Sequence, residues 1–260
     1  MRPLVIGNSH IVGFKRAAES GGQQWATVPT PLCTNFEQVI RRRQGVFELD
    51  PWWRNMRQAS HEEQKSIVRY PLETAAEDGI LVIVGEKLFG CFPIFGALLA
   101  AKNGGAFPIW PGPHVFNVPY DDQYILVSRS CLKEALLAQI RAAAESLRWL
   151  ISSFKMTFWV PSPPPPQAFV SAKLPEHHHW YANSELHRHY LDLFNECLIE
   201  VNSQAESKKL GLTFLGHPTK HIRSSGFLTE QCEYAPKIPE DIHANEIYYA
   251  DYIPQIASHI

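Results

Sequence analysis

The chain has 260 residues, 45% of them hydrophobic and 19% charged, which is enough for one large domain with a full core. A formal net charge of -2 argues against a general nucleic-acid surface. The one tight basic run, Arg41-Arg42-Arg43, reads as the solvated end of a helix. Five cysteines (Cys33, Cys91, Cys131, Cys197 and Cys232) lack CxxC spacing and suit reduced thiols better than a disulfide framework. The first residues show no leader pattern, and no uncharged apolar stretch is long enough to span a bilayer. The expectation is a cytoplasmic protein with neither a nucleic-acid nor a membrane partner.

Leu4-Val5-Ile6 is an apolar run of the kind found in a strand buried on both faces. Gly7-Asn8 brings turn chemistry, Ser9-His10 follow, and Ile11 to Glu19 are predicted helical. A strand that delivers a Ser on a tight turn at a helix start suits a nucleophile, because the helix N-terminus favours developing negative charge. The same residues also read as an ordinary turn with Ser9 as helix N-cap.

Gly21-Gly22 predicts a turn and Trp25 to Pro29 a short second strand. Phe36 to Arg43 is predicted helical. Residues 44–76 are polar and irregular, with an aromatic spot at Trp52-Trp53, and read as an insertion or a flap. Ile80 to Gly85 is a strong buried strand, and residues 104–120 read as a loop rich in Gly, Pro and aromatics.

Cys131 to Phe154 is predicted as a helix, with Leu132, Leu136, Ile140, Ala144, Leu147 and Leu150 recurring at helical spacing. It leads to a strand at Met156 to Val160. Pro161-Ser162 and the four prolines after them enforce a rigid exit, either a stiff loop or a cleft wall. His177, His178, His179, His187 and His189 lack a ligand spacing such as HExxH and read as a surface loop entering a helix over Ser184 to Asn202. Leu210 to Leu215 is the last predicted strand, and Pro239 to Asn245 is expected to open a terminal helix running to about His259.

Strand and helix alternate five times, with no internal repeat or domain boundary. The predicted fold is α/β: one domain over 1–260, a doubly wound five-stranded parallel sheet with helices on both faces. Sites in such folds lie at the carboxyl ends of the strands. Ser9, Gly85 and Pro161 all fall there. A Ser needs a base, and the base needs a carboxylate. His243 is the candidate base, with Glu240 and Asp241 just upstream.

The two ends of the chain resemble the SGNH/GDSL hydrolases. Gly7-Asn8-Ser9-His10 looks like that family's first block, in the Gly-Asn-Ser-His form of some bacterial members. Glu240 to Asn245 looks like its last block, Asp-x-x-His. The resemblance implies a flavodoxin-like three-layer sandwich and an esterase or related acyl hydrolase acting through an acyl-enzyme, with no metal or other cofactor. It implies Ser9 as nucleophile and His243 as base. Glu240 holds the family's acid position and Asp241 has its residue type, so both stay open.

Gly85, Lys87, Asn8 and His10 are the candidates for oxyanion or substrate contacts. The family's third block, Gly-x-Asn-Asp, is replaced here by Gly85-Glu86-Lys87-Leu88, so its oxyanion Asn is absent and Lys87 is a possible substitute. The second block's Gly has no clear counterpart; Gly45 is the nearest.

The implied substrate is a small acyl ester or acylated sugar, with Trp110, Phe116, Trp180 and Tyr181 as candidate pocket aromatics. The competing reading is a binding or accessory protein that has kept the scaffold and lost efficient chemistry. A nucleotide-binding protein is a third reading, but neither GxGxxG nor GxxxxGK[ST] occurs.

Overall fold

The structure is a computed structural model that describes residues 3–29, 40–43, 46–49, 69–71, 79–85, 107–109, 124–169, 184–234 and 243–260. Five strands form one parallel sheet: β1 (Leu4–Gly7), β2 (Ala26–Pro29), β6 (Ile80–Val84), β9 (Met156–Val160) and β10 (Leu212–Phe214). Their spatial order is β2-β1-β6-β9-β10, with every pairing parallel. Counted along the chain, the order is 2-1-3-4-5. The chain therefore reverses its direction of winding after β2, and in folds of this order ligands bind at the carboxyl ends of the strands beside the reversal, here β1 and β6.

Alternation along the strands divides the core in two. Leu4, Ile6, Leu81, Ile83, Trp159, Leu212 and Phe214 face one helical layer, α2 (Arg129–Ser146) and α4 (Ser184–Ser203). Val5, Ile80, Val82, Val84, Phe158 and Val160 face the other. That second layer holds α1 (Ile11–Ser20), α6 (Glu246–Tyr249) and α7 (Tyr252–Ala257). β1 and β6 are buried on both faces, which is why they read as unbroken Leu/Val/Ile runs. Each such side chain contributes about 1.5–3 kcal/mol by leaving water.

Several elements depart from the sequence expectation. Of the helix expected over Phe36 to Arg43, residues 36–39 lie outside the described residues and the rest is β3 (Ile40–Arg43), antiparallel to β4 (Val46–Leu49), with Arg43 opposite Val46. A two-residue connection containing Gly45 is a hairpin signal that outweighs the helix propensity of the arginines. The basic run therefore lies in a strand. β5 (Arg69–Pro71) joins β4, so the stretch 44–76 contains two strands of a separate three-stranded sheet. β7 (Phe107–Ile109) and β8 (Tyr124–Leu126) form a parallel pair, placing a strand within the predicted 104–120 loop.

The long helix ends at Ser146, and α3 (Arg148–Ile151) follows as a separate turn. Ser128 caps α2, its hydroxyl accepting from Cys131 N at 3.1 Å. α4 matches its predicted span closely, with Tyr190, Leu193, Phe194, Cys197 and Val201 buried. A short helix, α5 (Ala205–Lys209), leads into β10.

The terminal helix begins only at Glu246 and breaks before Tyr252. Pro254 explains the break: it has no N–H to continue the α6 ladder, but its place in the first turn of α7 needs none.

The proline run 161–166 is buried, so it is packed interior and not the wall of an open cleft. Among the described residues, no helix is long and apolar enough to cross a membrane.

Candidate active site

Ser9 and His243 meet across 234 residues of chain: His243 Nε2 and Ser9 Oγ are 2.7 Å apart. Both are half-buried. Ser9 is thus the partner of an imidazole and not a helix cap. The N-cap position of α1 belongs to His10, which makes no side-chain capping bond.

The serine arm is built on β1. Gly7 pairs with Val84 at the ends of β1 and β6. A Cβ on Gly7 would stand 2.6 Å from the Val84 carbonyl oxygen, so the close approach of the two strand ends requires glycine. Asn8 is buried at 3% exposure, and both ends of its amide are used. Nδ2 donates to the Gly85 carbonyl at 3.2 Å, and Oδ1 accepts from His10 N–H at 3.1 Å. The turn closes with Ile11 N–H donating to the Asn8 carbonyl at 3.0 Å. An Asp here would lack the donor that the Gly85 carbonyl takes, which gives Asn8 its physical reason.

Gly85 is the knot of this arm. Its N–H donates to the Val160 carbonyl at 2.9 Å, and its carbonyl also accepts from Ser162 Oγ at 2.9 Å. Its φ is +73°, and a Cβ would come within 2.8 Å of Asn8 Oδ1. The carboxyl ends of β1, β6 and β9 are thereby tied together beneath Ser9.

The histidine arm is irregular and cross-linked. Glu233 and Ala244 form an isolated antiparallel bridge. Tyr234 N–H donates to the His243 carbonyl at 3.0 Å, and Asn245 N–H to the Cys232 carbonyl at 2.8 Å. The Asn245 amide donates to the carbonyls of Gln231 and Glu233 at 2.7 and 3.1 Å. Its oxygen caps α6 by accepting from Ile247 N–H at 2.9 Å. Gly13 lets this arm approach α1, since a Cβ there would lie 2.5 Å from the Ala244 carbonyl oxygen and 2.9 Å from the Tyr249 ring.

His10 is buried at 1% exposure, its ring tilted against that of His243 with centroids 4.9 Å apart. Burial, with a smaller contribution from His243, lowers its pKa from 6.5 to about 3. It is therefore a neutral ring at ordinary pH, so the ring packed against His243 carries no charge.

The sequence candidates sort as follows. Ser9 and His243 come together. Asn8 and Gly85 lie beside Ser9, where Asn8 Nδ2 donates to the Gly85 carbonyl and the Gly85 N–H to the Val160 carbonyl. His10 is a buried neighbour of the base and has no open face toward substrate. Glu240, Asp241, Lys87, Trp110, Phe116, Trp180 and Tyr181 lie outside the described residues, as do His177, His178 and His179. His187 is buried against Phe227, with ring centroids 4.3 Å apart, while His189 is exposed.

Among the described residues, no group of His, Cys, Asp and Glu could hold a metal. None of them accepts a hydrogen bond from Ser9 N–H, which stands at the start of α1.

Sequence reasoning missed Gly13, Ser162 and Asn245. Asn245 before Glu246 carries an N-cap signal. Gly13 was visible as a glycine inside a helix, a mark of close packing. Ser162, inside a proline run, carried no signal. Comparison of the chain with protein-family models, with curated proteins and with solved structures finds no match.

Proposed function

We propose that this protein is an SGNH-type serine hydrolase that cleaves a small acyl or acetyl ester through an acyl-enzyme. The observation that carries the reading is the 2.7 Å hydrogen bond between Ser9 Oγ and His243 Nε2. Two features support it: the bond lies at the carboxyl ends of a parallel sheet in 2-1-3-4-5 order, the order of flavodoxin-like folds, and it joins the two blocks that resemble the family.

The steps follow from the geometry. Ser9 Oγ attacks the ester carbonyl carbon while its proton passes to His243 Nε2. The carbonyl oxygen becomes an oxyanion facing Ser9 N–H at the positive end of α1. Collapse breaks the carbon–oxygen bond to the alcohol, which takes the proton from His243. Water then attacks the acyl-enzyme and gives its proton to His243. The acid departs as that proton returns to Ser9. A carboxylate at Glu240 or Asp241 would hold the His243 tautomer.

The alternative is a catalytically impaired binding or accessory protein on the same scaffold. It is favoured by one observation: the amide of Asn8 and the N–H of Gly85 are both engaged elsewhere. Esterase assays on short-chain 4-nitrophenyl esters separate the two. The hydrolase reading expects turnover that falls by about 10⁴-fold or more in both Ser9→Ala and His243→Ala, as for residues acting as one unit. Turnover that survives Ser9→Ala, or none from the folded wild-type protein, favours the alternative.

A further inference from the structure

We propose that Arg16 and Tyr234 form an anion-recognition subsite beside Ser9, so that the esters this site accepts carry a negatively charged group. The proposal rests on the hydrolase reading for the identity of the ligand as an ester, and on the geometry for the rest.

Val12 and Arg16 lie three and seven residues beyond Ser9, spacings that put them on one stripe of the helical surface. Val12 N–H donates to the Ser9 carbonyl at 3.5 Å, so the helical turn already includes Ser9. Seven helical residues span about 10 Å. Helical side chains lean toward the N-terminus, which directs the Arg16 side chain toward Ser9. Val12 is 43% exposed and Tyr234 37% exposed, leaving apolar surface open along this stripe.

Tyr234 is fixed relative to the dyad through its backbone bond to the His243 carbonyl. Its ring lies edge-on to the imidazole at a centroid distance of 6.4 Å. The Arg16 guanidinium lies over that ring, 5.1 Å from its centroid.

Arg16 differs from the other arginines whose side chains are described. Arg129 pairs with Glu196, Arg141 with Glu200, Arg148 with Glu145 and Glu206, Arg188 with Asp192, and Arg223 with Glu230. Arg16 makes no ion pair among the described residues. An aromatic face holds a guanidinium in place without neutralising it. Among the described residues no carboxylate takes the planar donor fork of Arg16, and a carboxylate or phosphate is the partner that a preorganised arginine beside a reactive serine fits.

Two pairs of esters test the subsite and locate the anion. Mono-4-nitrophenyl glutarate against 4-nitrophenyl butyrate puts the charge on the acyl side; 4-acetoxybenzoate against phenyl acetate puts it on the alcohol side. The expected result is a kcat/KM preference of about tenfold or more for the anionic member of one pair, the scale of one charge-assisted hydrogen bond. That preference should collapse in Arg16→Gln chiefly through KM, return in part in Arg16→Lys, and weaken with salt. A preference for the neutral member in both pairs, or a ratio unchanged by Arg16→Gln, overturns the proposal.

If no ester is turned over, the hydrolase reading fails by itself, and the subsite is tested by titrating the folded protein with glutarate while following the Arg16 Nε–H resonance by NMR. A saturable shift that is absent with butyramide supports the subsite. No shift at millimolar glutarate overturns it.

Discussion

The two arms of the candidate site are held in opposite ways. Ser9 stands on regular structure: a doubly buried strand ends, turns on Asn8 and enters α1. The cross-links of this arm converge on one carbonyl, that of Gly85, from the Asn8 amide and the Ser162 hydroxyl. His243 belongs to no helix or strand. Two backbone bonds to the Cys232–Tyr234 segment and the three hydrogen bonds of the Asn245 side chain hold it. The nucleophile is placed by the fold and the base by local hydrogen bonds. In both arms an asparagine close to the reacting residue joins it to a distant piece of chain, because a primary amide can donate and accept at once.

Substitutions can break this comparison, and the largest effect is expected where the arms meet. Gly13→Val puts a side chain into the Ala244 carbonyl and the Tyr249 ring, both within 2.9 Å of a Cβ. Urea denaturation should show a loss of about 3 kcal/mol or more, from overpacking against backbone in the core.

Asn8→Ala comes next. It leaves the buried His10 N–H without its acceptor and removes one donor from the Gly85 carbonyl, at about 1–3 kcal/mol. It should also slow acylation, since the serine turn loses its anchor. Asn8→Asp keeps the acceptor but not the donor and should recover stability only in part.

Asn245→Ala should cost about 1–2 kcal/mol, the range of a lost N-cap with additional bonds. Its effect on activity should exceed its effect on stability, because the Asn245 side chain ties the His243 segment to Gln231 and Glu233. Equal and small activity losses in Asn8→Ala and Asn245→Ala would erase the distinction between the arms.

The smallest effect concerns pH. Burial lowers the pKa of His10 and of His217 from 6.5 to about 3 in each case. Below about pH 6.5 the unfolded chain binds protons that these rings refuse in the folded state. Stability is therefore complete above that pH and falls as the pH drops toward 3. The expected loss is about 1 kcal/mol per histidine between about pH 6.5 and 5.5. His10→Phe should flatten its share of that slope in denaturation curves measured at a series of pH values.

The same contrast governs how much of the molecule was legible in the sequence. The parallel sheet was readable because β1 and β6 are unbroken apolar runs and the intervening helices show their period. Ser9 was readable because strand, turn and helix follow one another directly between Leu4 and Ser20. His243 was readable only as a histidine with carboxylates just upstream after the last predicted strand, and through its resemblance to a known block. The bonds that position it come from Gln231, Cys232, Glu233 and Tyr234, and no local pattern announces such pairings.

Asn8 and Gly85 were identified as candidate oxyanion or substrate contacts, and the structure shows them also as partners in the scaffold beneath Ser9. Residue type marked them as polar or permissive at a strand end, while partners 77 residues apart decided that they bind each other. Ile40 to Arg43 was misread because helix propensity is a weak guide beside a short hairpin connection.

The central claim is that His243 activates Ser9. The most direct test is to react the folded protein with a fluorophosphonate probe and map the modified peptide by mass spectrometry. The account predicts a single adduct on Ser9 that disappears in His243→Ala. An unmodified Ser9 in folded wild-type protein, or an adduct on Ser9 that forms equally fast in His243→Ala, would contradict it.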